Sequence, residues 1–161
     1  MTFDPQLLDA LEELVGQWSG TVWRVVVEGT DPLRPNQRGA RWNPPLVEAL
    51  YCSLTPETAR KELEHVLAAQ PVEVTRKRVL HKLSVQFERV LDLRDPSVLS
   101  EFGFGKDVIL GDEYSMTQYL GAAIHWLGCA AVIVPSARHE GHNMVVFTEN
   151  FGEGDEFEPV G

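Results

Sequence analysis

Three short stretches of the sequence combine residue types that could bind and transform a nucleotide. Residues 39–46 place Arg41 and Trp42 side by side in a run that is rich in proline and asparagine. Surface loops combine these types where a planar or anionic group is held, because a guanidinium forks onto phosphates and stacks on rings. The chain also offers a carboxylate at Glu62 and a Pro-Ser-Ala-Arg run at 135–138. Together they indicate an enzyme site that grips a nucleotide.

Glu62 lies on a predicted helix, at the border of its apolar face. Ala59, Leu63 and Val66 define that face at the helical period, so a border carboxylate can reach into a cleft while the helix stays packed. A carboxylate in this position can equally be a solvated residue on the flank of the helix. The helix pattern alone leaves both interpretations open.

The other candidate side chains also have structural interpretations. Arg24 stands among valines in a predicted strand, where its guanidinium either binds phosphates and sugar hydroxyls or lies at a sheet edge. Tyr51 ends an apolar strand and either stacks on a planar ring or belongs to the core. Ser136 follows a strand and could bind a ligand. It does not lie in a GxSxG elbow, which disfavours an esterase or a serine protease.

The histidines and cysteines do not predict a metal site. His139 and His142 lie near Glu140, but their spacing matches no zinc motif, and a solvated loop is the favoured interpretation. Cys52 and Cys129 lie in apolar runs outside any CxxC pair. Buried free thiols in a reducing cytoplasm are therefore expected.

The charge balance excludes several classes of partner. The 161 residues include 14 basic and 24 acidic side chains, which gives a formal net charge of −10. An acidic chain is a poor match for nucleic acid or for an anionic membrane surface, whereas a few local arginines can still hold a small anion. The sequence shows neither a signal peptide nor a membrane-spanning run, so a soluble cytoplasmic protein is expected.

The order of the predicted elements favours a single α+β domain. Strands and helices follow one another irregularly, without the alternation that is typical of a doubly wound sheet. Proline, glycine and capping signals bound most of the elements. The predicted helices cover residues 5–17, 56–69 and 115–127; the predicted strands cover residues 20–27, 47–54, 72–77, 79–92, 129–134 and 144–148; long loops cover residues 28–45 and 102–112.

The motifs and their order resemble the RES-domain family, which is named for its Arg, Glu and Ser. The resemblance covers residues 20–150, with an N-terminal helix at 1–19 before it and a flexible acidic tail at 151–161 after it. It rests on Trp23-Arg24, Gly39-Ala40-Arg41-Trp42-Asn43-Pro44, Ala49-Leu50-Tyr51, Thr55-Pro56-Glu57-Thr58-Ala59 leading to Glu62, and Pro135-Ser136-Ala137-Arg138 followed by Asn143 and Val145-Val146-Phe147.

The resemblance implies an ADP-ribosyltransferase-like fold, with a mixed sheet and flanking helices, that acts on NAD. It implies cleavage of the nicotinamide–ribose bond of NAD by hydrolysis or phosphorolysis, with NAD as substrate, no prosthetic group and no metal. It also implies a toxin of a toxin–antitoxin pair, blocked by a helix-turn-helix antitoxin of the Xre type. Transfer of ADP-ribose to a protein target, or a catalytically silent NAD-binding domain, remains an alternative.

The resemblance also assigns roles to individual residues. Glu62 would be the acidic catalytic residue, and Arg41 and Tyr51 would share in catalysis. The NAD-binding set would be Arg24, Arg41, Tyr51, Ser136 and Asn143, with the arginines on phosphates or ribose and Tyr51 on nicotinamide.

The chain departs from the family pattern at Ala40 and Leu46, where the family commonly has glycine. Glycine tolerates backbone angles that other residues resist. The departures therefore predict a changed loop backbone around unchanged side chains.

Overall fold

Most of the fold is one mixed, six-stranded sheet in a computed structural model that describes residues 2–69 and 76–161. Its longest strands are rich in valine and other residues that suit a pleated, half-buried surface. The strands are β1 (Val15–Val27), β2 (Leu50–Ser53), β3 (Arg78–Asp92), β4 (Ala131–Pro135), β5 (His142–Val146) and β6 (Glu156–Pro159).

The sheet closes on itself like a barrel. The strand order is β1-β2-β5-β4-β3, and β1 also pairs with β3 along nearly its whole length, from Val15 with Leu91 to Val27 with Arg78. The β3–β4 pair is parallel and the other pairs are antiparallel. Closure leaves β6 as an additional strand on β3. A closed sheet needs few free edges, so the strands around the interior are held on both sides.

Helices cover part of the outer face of the sheet. They are α1 (Pro5–Glu12), α2 (Pro56–Ala68), α3 (Lys106–Leu110) and α4 (Ser115–Trp126), with 3-10 helices at Pro96–Phe102 and Thr148–Asn150. Leucines 7 and 11 of α1 and residues 120, 123 and 124 of α4 pack with strand residues into one buried cluster. No helix within residues 2–69 and 76–161 is both long and apolar enough to cross a membrane.

A second apolar cluster fills the interior of the closed sheet. It contains Leu83, Val85 and Phe87 of β3, which alternate with exposed residues, as expected of a strand with one buried face. Cys52 belongs to this cluster and Cys129 to the outer one, and both thiols are free and buried. Burial raises the pKa of Cys52 to about 12 and that of Cys129 to about 11.

The structure confirms the predicted α+β class, with a mixed sheet and flanking helices. It also confirms the helices that begin at Pro56 and Ser115. Thr55 caps the start of the first helix, and the chain leaves the second helix at Gly128, which has a positive φ. Residues 70–75, which include most of the predicted strand at 72–77, lie outside the described residues.

Both ends of the chain correct the sequence analysis. Helix α1 ends at Glu12 and not near Gln17, because β1 begins at Val15 and pairs there with β3. The predicted flexible tail at 151–161 contains β6, which pairs with β3. Phe157 holds β6 in place, because it packs against the inner cluster with its ring centroid 5.8 Å from that of Phe87. The acidic composition of the segment gave no sign of this contact.

The long loop between β1 and β2 has a constrained backbone. It contains only isolated bridges, Asn36 with Ala49 and Ala40 with Asn43. Leu46 has a φ of 77° and is the only non-glycine residue with positive φ in the described part of the chain. The departure from glycine at Leu46 therefore falls at a position that favours glycine, whereas Ala40 is not in that region.

The segment at 102–112, predicted to be a loop, is more ordered than expected. It contains the short helix α3, and buried Ile109 anchors that helix to the outer cluster. The glycines on both sides of the segment favoured the prediction of a loop.

Candidate active site

A cleft of about 370 Å³ lies where α2 packs over β1 and β2. Its size lies within the range of small-molecule sites, and its wall mixes apolar and polar side chains. Helix α2 contributes one face, and the sheet contributes the other. The lining residues are Trp23, Arg24, Val25, Asn36, Tyr51, Cys52, Ser53, Ala59, Glu62, Leu63, Val66, Arg78 and Asn143.

Glu62 points into this cleft from α2 and is held by two donors. The Ser136 hydroxyl donates to Glu62 Oε1 over 2.5 Å, and the Asn143 amide donates to the same oxygen over 2.9 Å. The Ser53 hydroxyl donates to Asn143 Oδ1 over 2.9 Å, which fixes the orientation of the amide. Glu62 Oε2 has no hydrogen-bond donor among the described residues, so this oxygen is available to a ligand.

Local sequence explains why these groups meet. Helix α2 starts at Pro56 behind a capping threonine, which sets the face on which Glu62 lies. Strands β4 and β5 form an antiparallel pair, with Val134 opposite Asn143, so Ser136 and Asn143 emerge at the same end of the sheet. Ser136 is 5% exposed, and a buried hydroxyl of this kind requires a partner. Glu62 provides it.

Tyr51 lines the cleft and packs against the outer apolar cluster, while its hydroxyl is bonded to the preceding loop. The hydroxyl accepts a hydrogen bond from the Trp42 amide over 3.0 Å and donates to Asn43 Oδ1 over 2.6 Å. Burial raises the pKa of Tyr51 far above its ordinary value, so the group is a neutral phenol at ordinary pH. The ring can stack on a planar ligand, but the hydroxyl serves the loop.

Arg24 lines the cleft from β1 and supplies positive charge to its wall. Its Nη2 donates to the backbone carbonyl of Arg34 over 3.3 Å. Burial lowers the pKa of Arg24, although an arginine stays protonated at any ordinary pH. Among the described residues no carboxylate lies within salt-bridge distance of this guanidinium.

Arg41 is set apart from the other predicted site residues. Its Nη1 donates to the backbone carbonyl of Ile109 over 3.2 Å and also to that of Gly111. The guanidinium lies over the ring of Tyr114, 4.6 Å from the centroid. Arg41 does not line the cleft in this structure. It ties the loop before β2 to the segment that follows α3, and its predicted part in catalysis stays a prediction.

Arg78 is a cleft residue that the sequence analysis missed. It opens β3 directly after Arg76 and Lys77, between the two predicted strands at 72–77 and 79–92. Pairing with Val27 of β1 brings it to the cleft instead. Its Nε is buried and has no hydrogen-bond partner within the described ranges. Only the register between β1 and β3 could have revealed this position.

His139 is also more than a solvated loop residue. Its Nδ1 lies 2.9 Å from the Thr58 hydroxyl and 3.3 Å from the Gly141 amide nitrogen. The described part of the chain contains no group of three or more His, Cys, Asp or Glu side chains that could hold a metal ion. The partner of His139 is Thr58, a contact that the spacing of the histidines in the sequence does not indicate.

A family model matches nearly the whole chain. The model of the RES domain matches residues 21–159, and the chain belongs to this family. This confirms the resemblance drawn from the motifs. The match extends beyond residue 150 and includes β6.

Individual relatives have a named activity. The NAD(+) phosphorylase MbcT of Mycobacterium bovis is 33% identical over 131 residues, which cover 75% of this chain and 69% of that protein. MbcT from two strains of Mycobacterium tuberculosis gives the same values. A chain of the crystal structure of the M. tuberculosis MbcT–MbcA toxin–antitoxin complex matches with a TM-score of 0.84 and 28% identity. That match covers 98% of this chain and 91% of that chain.

Proposed function

We propose that this protein cleaves the nicotinamide–ribose bond of NAD and transfers the ADP-ribosyl group to inorganic phosphate. The observation that carries the proposal is the arrangement of Glu62, whose carboxylate is held by Ser136 and Asn143 in a cleft that also contains Arg24. Family membership and the named activity of MbcT support NAD as the substrate. They also favour phosphate over water as the acceptor.

The chemistry suits a fixed carboxylate. The C–N bond breaks with its electron pair on the nicotinamide nitrogen, so a positively charged ring leaves as neutral nicotinamide and needs no proton. The ribose carbon becomes oxocarbenium-like, and a nearby carboxylate stabilises this charge more in the transition state than in the ground state. A phosphate oxygen then forms the new C–O bond. Glu62 acts here as an electrostatic stabiliser and not as an acid.

The surrounding residues bind and orient the dinucleotide. The pyrophosphate carries two negative charges, and guanidiniums match phosphate oxygens in geometry and charge. Arg24 and Arg78 line the cleft and serve this purpose within an acidic protein. The Tyr51 ring packs on nicotinamide, while Ser136 and Asn143 keep Glu62 in place. Holding the reacting groups in one geometry lowers the entropic part of the barrier.

We further propose that the protein is a toxin that works in the cytoplasm and is neutralised by an antitoxin. The structural match to a chain of a toxin–antitoxin complex supports a partner of this kind. An Xre-type helix-turn-helix antitoxin is the finer expectation, which rests on the family resemblance. Co-expression of a neighbouring small helix-turn-helix protein should relieve growth arrest. Growth arrest that such a protein leaves unchanged would contradict this part of the proposal.

The experiment follows NAD loss and nicotinamide release by the purified protein, with and without phosphate. We expect release that depends on phosphate, with ADP-ribose phosphorylated at its anomeric carbon as the second product. Equal release without phosphate, giving free ADP-ribose, would identify water as the acceptor. Glu62→Gln should lose this release. Glu64→Gln is its matched control, because Glu64 is exposed on the same helix and, among the described residues, pairs only with Lys61.

Negative results separate the alternatives. Nicotinamide release that requires a target protein, whose mass increases by one ADP-ribosyl group, would favour ADP-ribosylation of that target. NAD binding without consumption or transfer would favour a silent binding domain. Either result would overturn the proposed phosphorolysis.

A further inference from the structure

Two side chains of α2, four residues apart, form hydrogen bonds with the connection between β4 and β5. Glu62 accepts from Ser136, at the start of the β4–β5 connection at 136–141. Thr58 bonds to His139 in the middle of that connection, over 2.9 Å. Residues four apart on a helix lie on one face, so both contacts pull the connection against α2. Thr58 is fully buried, which makes its hydroxyl contact an obligatory one.

The hydrogen bonds around His139 have a defined direction. The Gly141 amide donates to His139 Nδ1 over 3.3 Å, so this nitrogen carries no proton. The Thr58 hydroxyl must therefore donate to Nδ1, and it in turn accepts from the hydroxyl of Thr55 over 3.0 Å. The chain of bonds thus runs from the cap of α2 to His139 Nδ1.

The connection approaches α2 very closely at Gly141. A Cβ at Gly141 would lie 2.0 Å from Thr58 Oγ1, so the backbone reaches α2 only because residue 141 is glycine. The Ser136 amide donates to the Gly141 carbonyl over 3.0 Å, and the Arg138 amide donates to Ser136 Oγ over 3.1 Å. These bonds join Ser136 to the same connection that His139 and Gly141 bring against Thr58.

We propose that His139 and Thr58 are positioning residues that hold Ser136 against Glu62 and so preset the carboxylate. His139 does not line the cleft and acts through Ser136. This inference rests on the proposed function, because the preset carboxylate matters for cleavage of NAD. It adds to the site a pair of residues that contact neither substrate nor acceptor.

Matched substitutions test the direction of the hydrogen bonds. His139→Asn places an amide oxygen where Nδ1 stands and keeps the acceptor, whereas His139→Gln extends the amide toward Nε2 and loses it. Thr58→Ser keeps the donor, and Thr58→Val has the same shape without it. We expect His139→Gln and Thr58→Val to lower kcat about tenfold with KM little changed, the scale of one lost hydrogen bond. His139→Asn and Thr58→Ser should stay within about twofold of the parent protein, since each retains the bond.

A combination with Ser136→Ala tests whether the effect passes through Ser136. In that background His139→Gln should change kcat little, because the contact that it positions is already absent. Equal losses with and without Ser136 would overturn the proposal. So would equal kcat for His139→Asn and His139→Gln, or a loss that appears only near the melting temperature.

Hydrogen–deuterium exchange provides a readout that needs no activity. Peptides covering 136–143 should exchange faster in His139→Gln than in the parent, and at the parent rate in His139→Asn. Unchanged exchange in His139→Gln would overturn the inference even where the parent protein cleaves NAD. A parent protein that leaves NAD intact but shows the expected exchange pattern would overturn the proposed function and keep the positioning contact.

Discussion

The hydroxyl of Tyr51 should stabilise the loop before β2 strongly enough to measure. It is the partner of the Trp42 amide at 3.0 Å and of Asn43 Oδ1 at 2.6 Å. Trp42 is 2% exposed and Asn43 is 0% exposed, so water cannot replace the lost hydroxyl at either group. Tyr51→Phe would remove both bonds while leaving the ring in the cleft.

The expected cost follows from these two buried groups. A buried donor or acceptor that loses its partner costs about 1–3 kcal/mol, and partial relaxation of the loop reduces the sum. We expect Tyr51→Phe to lower the free energy of unfolding by about 2–4 kcal/mol. For a domain of this length that corresponds to a decrease in Tm of roughly 5–15 °C.

Denaturant unfolding of the parent and of Tyr51→Phe gives the number directly. Tyr119→Phe is the matched control. Within residues 2–69 and 76–161 the Tyr119 hydroxyl has one hydrogen bond, accepted from the Asp4 amide at the exposed start of α1 over 3.1 Å. The control should change the free energy by less than about 0.5 kcal/mol. Equal stabilities for Tyr51→Phe and the parent would refute the assignment of the hydroxyl to the loop.

Two further predictions concern Arg78 and Leu46. Arg78→Ala should raise KM for NAD about tenfold or more with kcat little changed, because a charge-assisted contact to phosphate is lost. Arg60→Ala, at an exposed position of α2, is the control. An unchanged KM in Arg78→Ala would remove Arg78 from the site. Leu46→Gly should raise the free energy of unfolding by up to about 1 kcal/mol, since relief of the left-handed strain exceeds the added chain entropy. The Leu46 side chain is 81% exposed, so little packing is lost. If denaturant unfolding gave Leu46→Gly a clearly lower free energy of unfolding than the parent protein, this prediction would be wrong.

Local signals predicted the regular elements that carry part of the site. The Thr55-Pro56 start and the apolar period of α2 placed Glu62 at the border of the apolar face, but they did not decide between the cleft and solvent. The motif order brought in Ser136 and Asn143, which the antiparallel pairing of β4 and β5 places at the same end of the sheet. These are consequences of helix and strand periods, which a sequence displays.

The rest of the site depends on contacts between distant segments. The closure of β1 onto β3 brings Arg78 to the cleft, and no local pattern encodes that register. Arg41 turns toward carbonyls near Gly111, which a loop sequence cannot reveal. In the same way Phe157 anchors β6 within a segment whose composition predicted a flexible tail.

The central claim is that the charge of Glu62, and not its shape, drives cleavage of NAD. Glu62→Gln is the direct test, because a glutamine Oε1 can still accept from Ser136 and Asn143 while the charge is lost. Turnover should decrease on the order of 10²- to 10³-fold, the scale of one preorganised electrostatic contact. The dissociation constant of the same variant for NAD, measured by calorimetry, should stay within a few-fold of that of the parent protein. Near-normal turnover in Glu62→Gln would contradict the account.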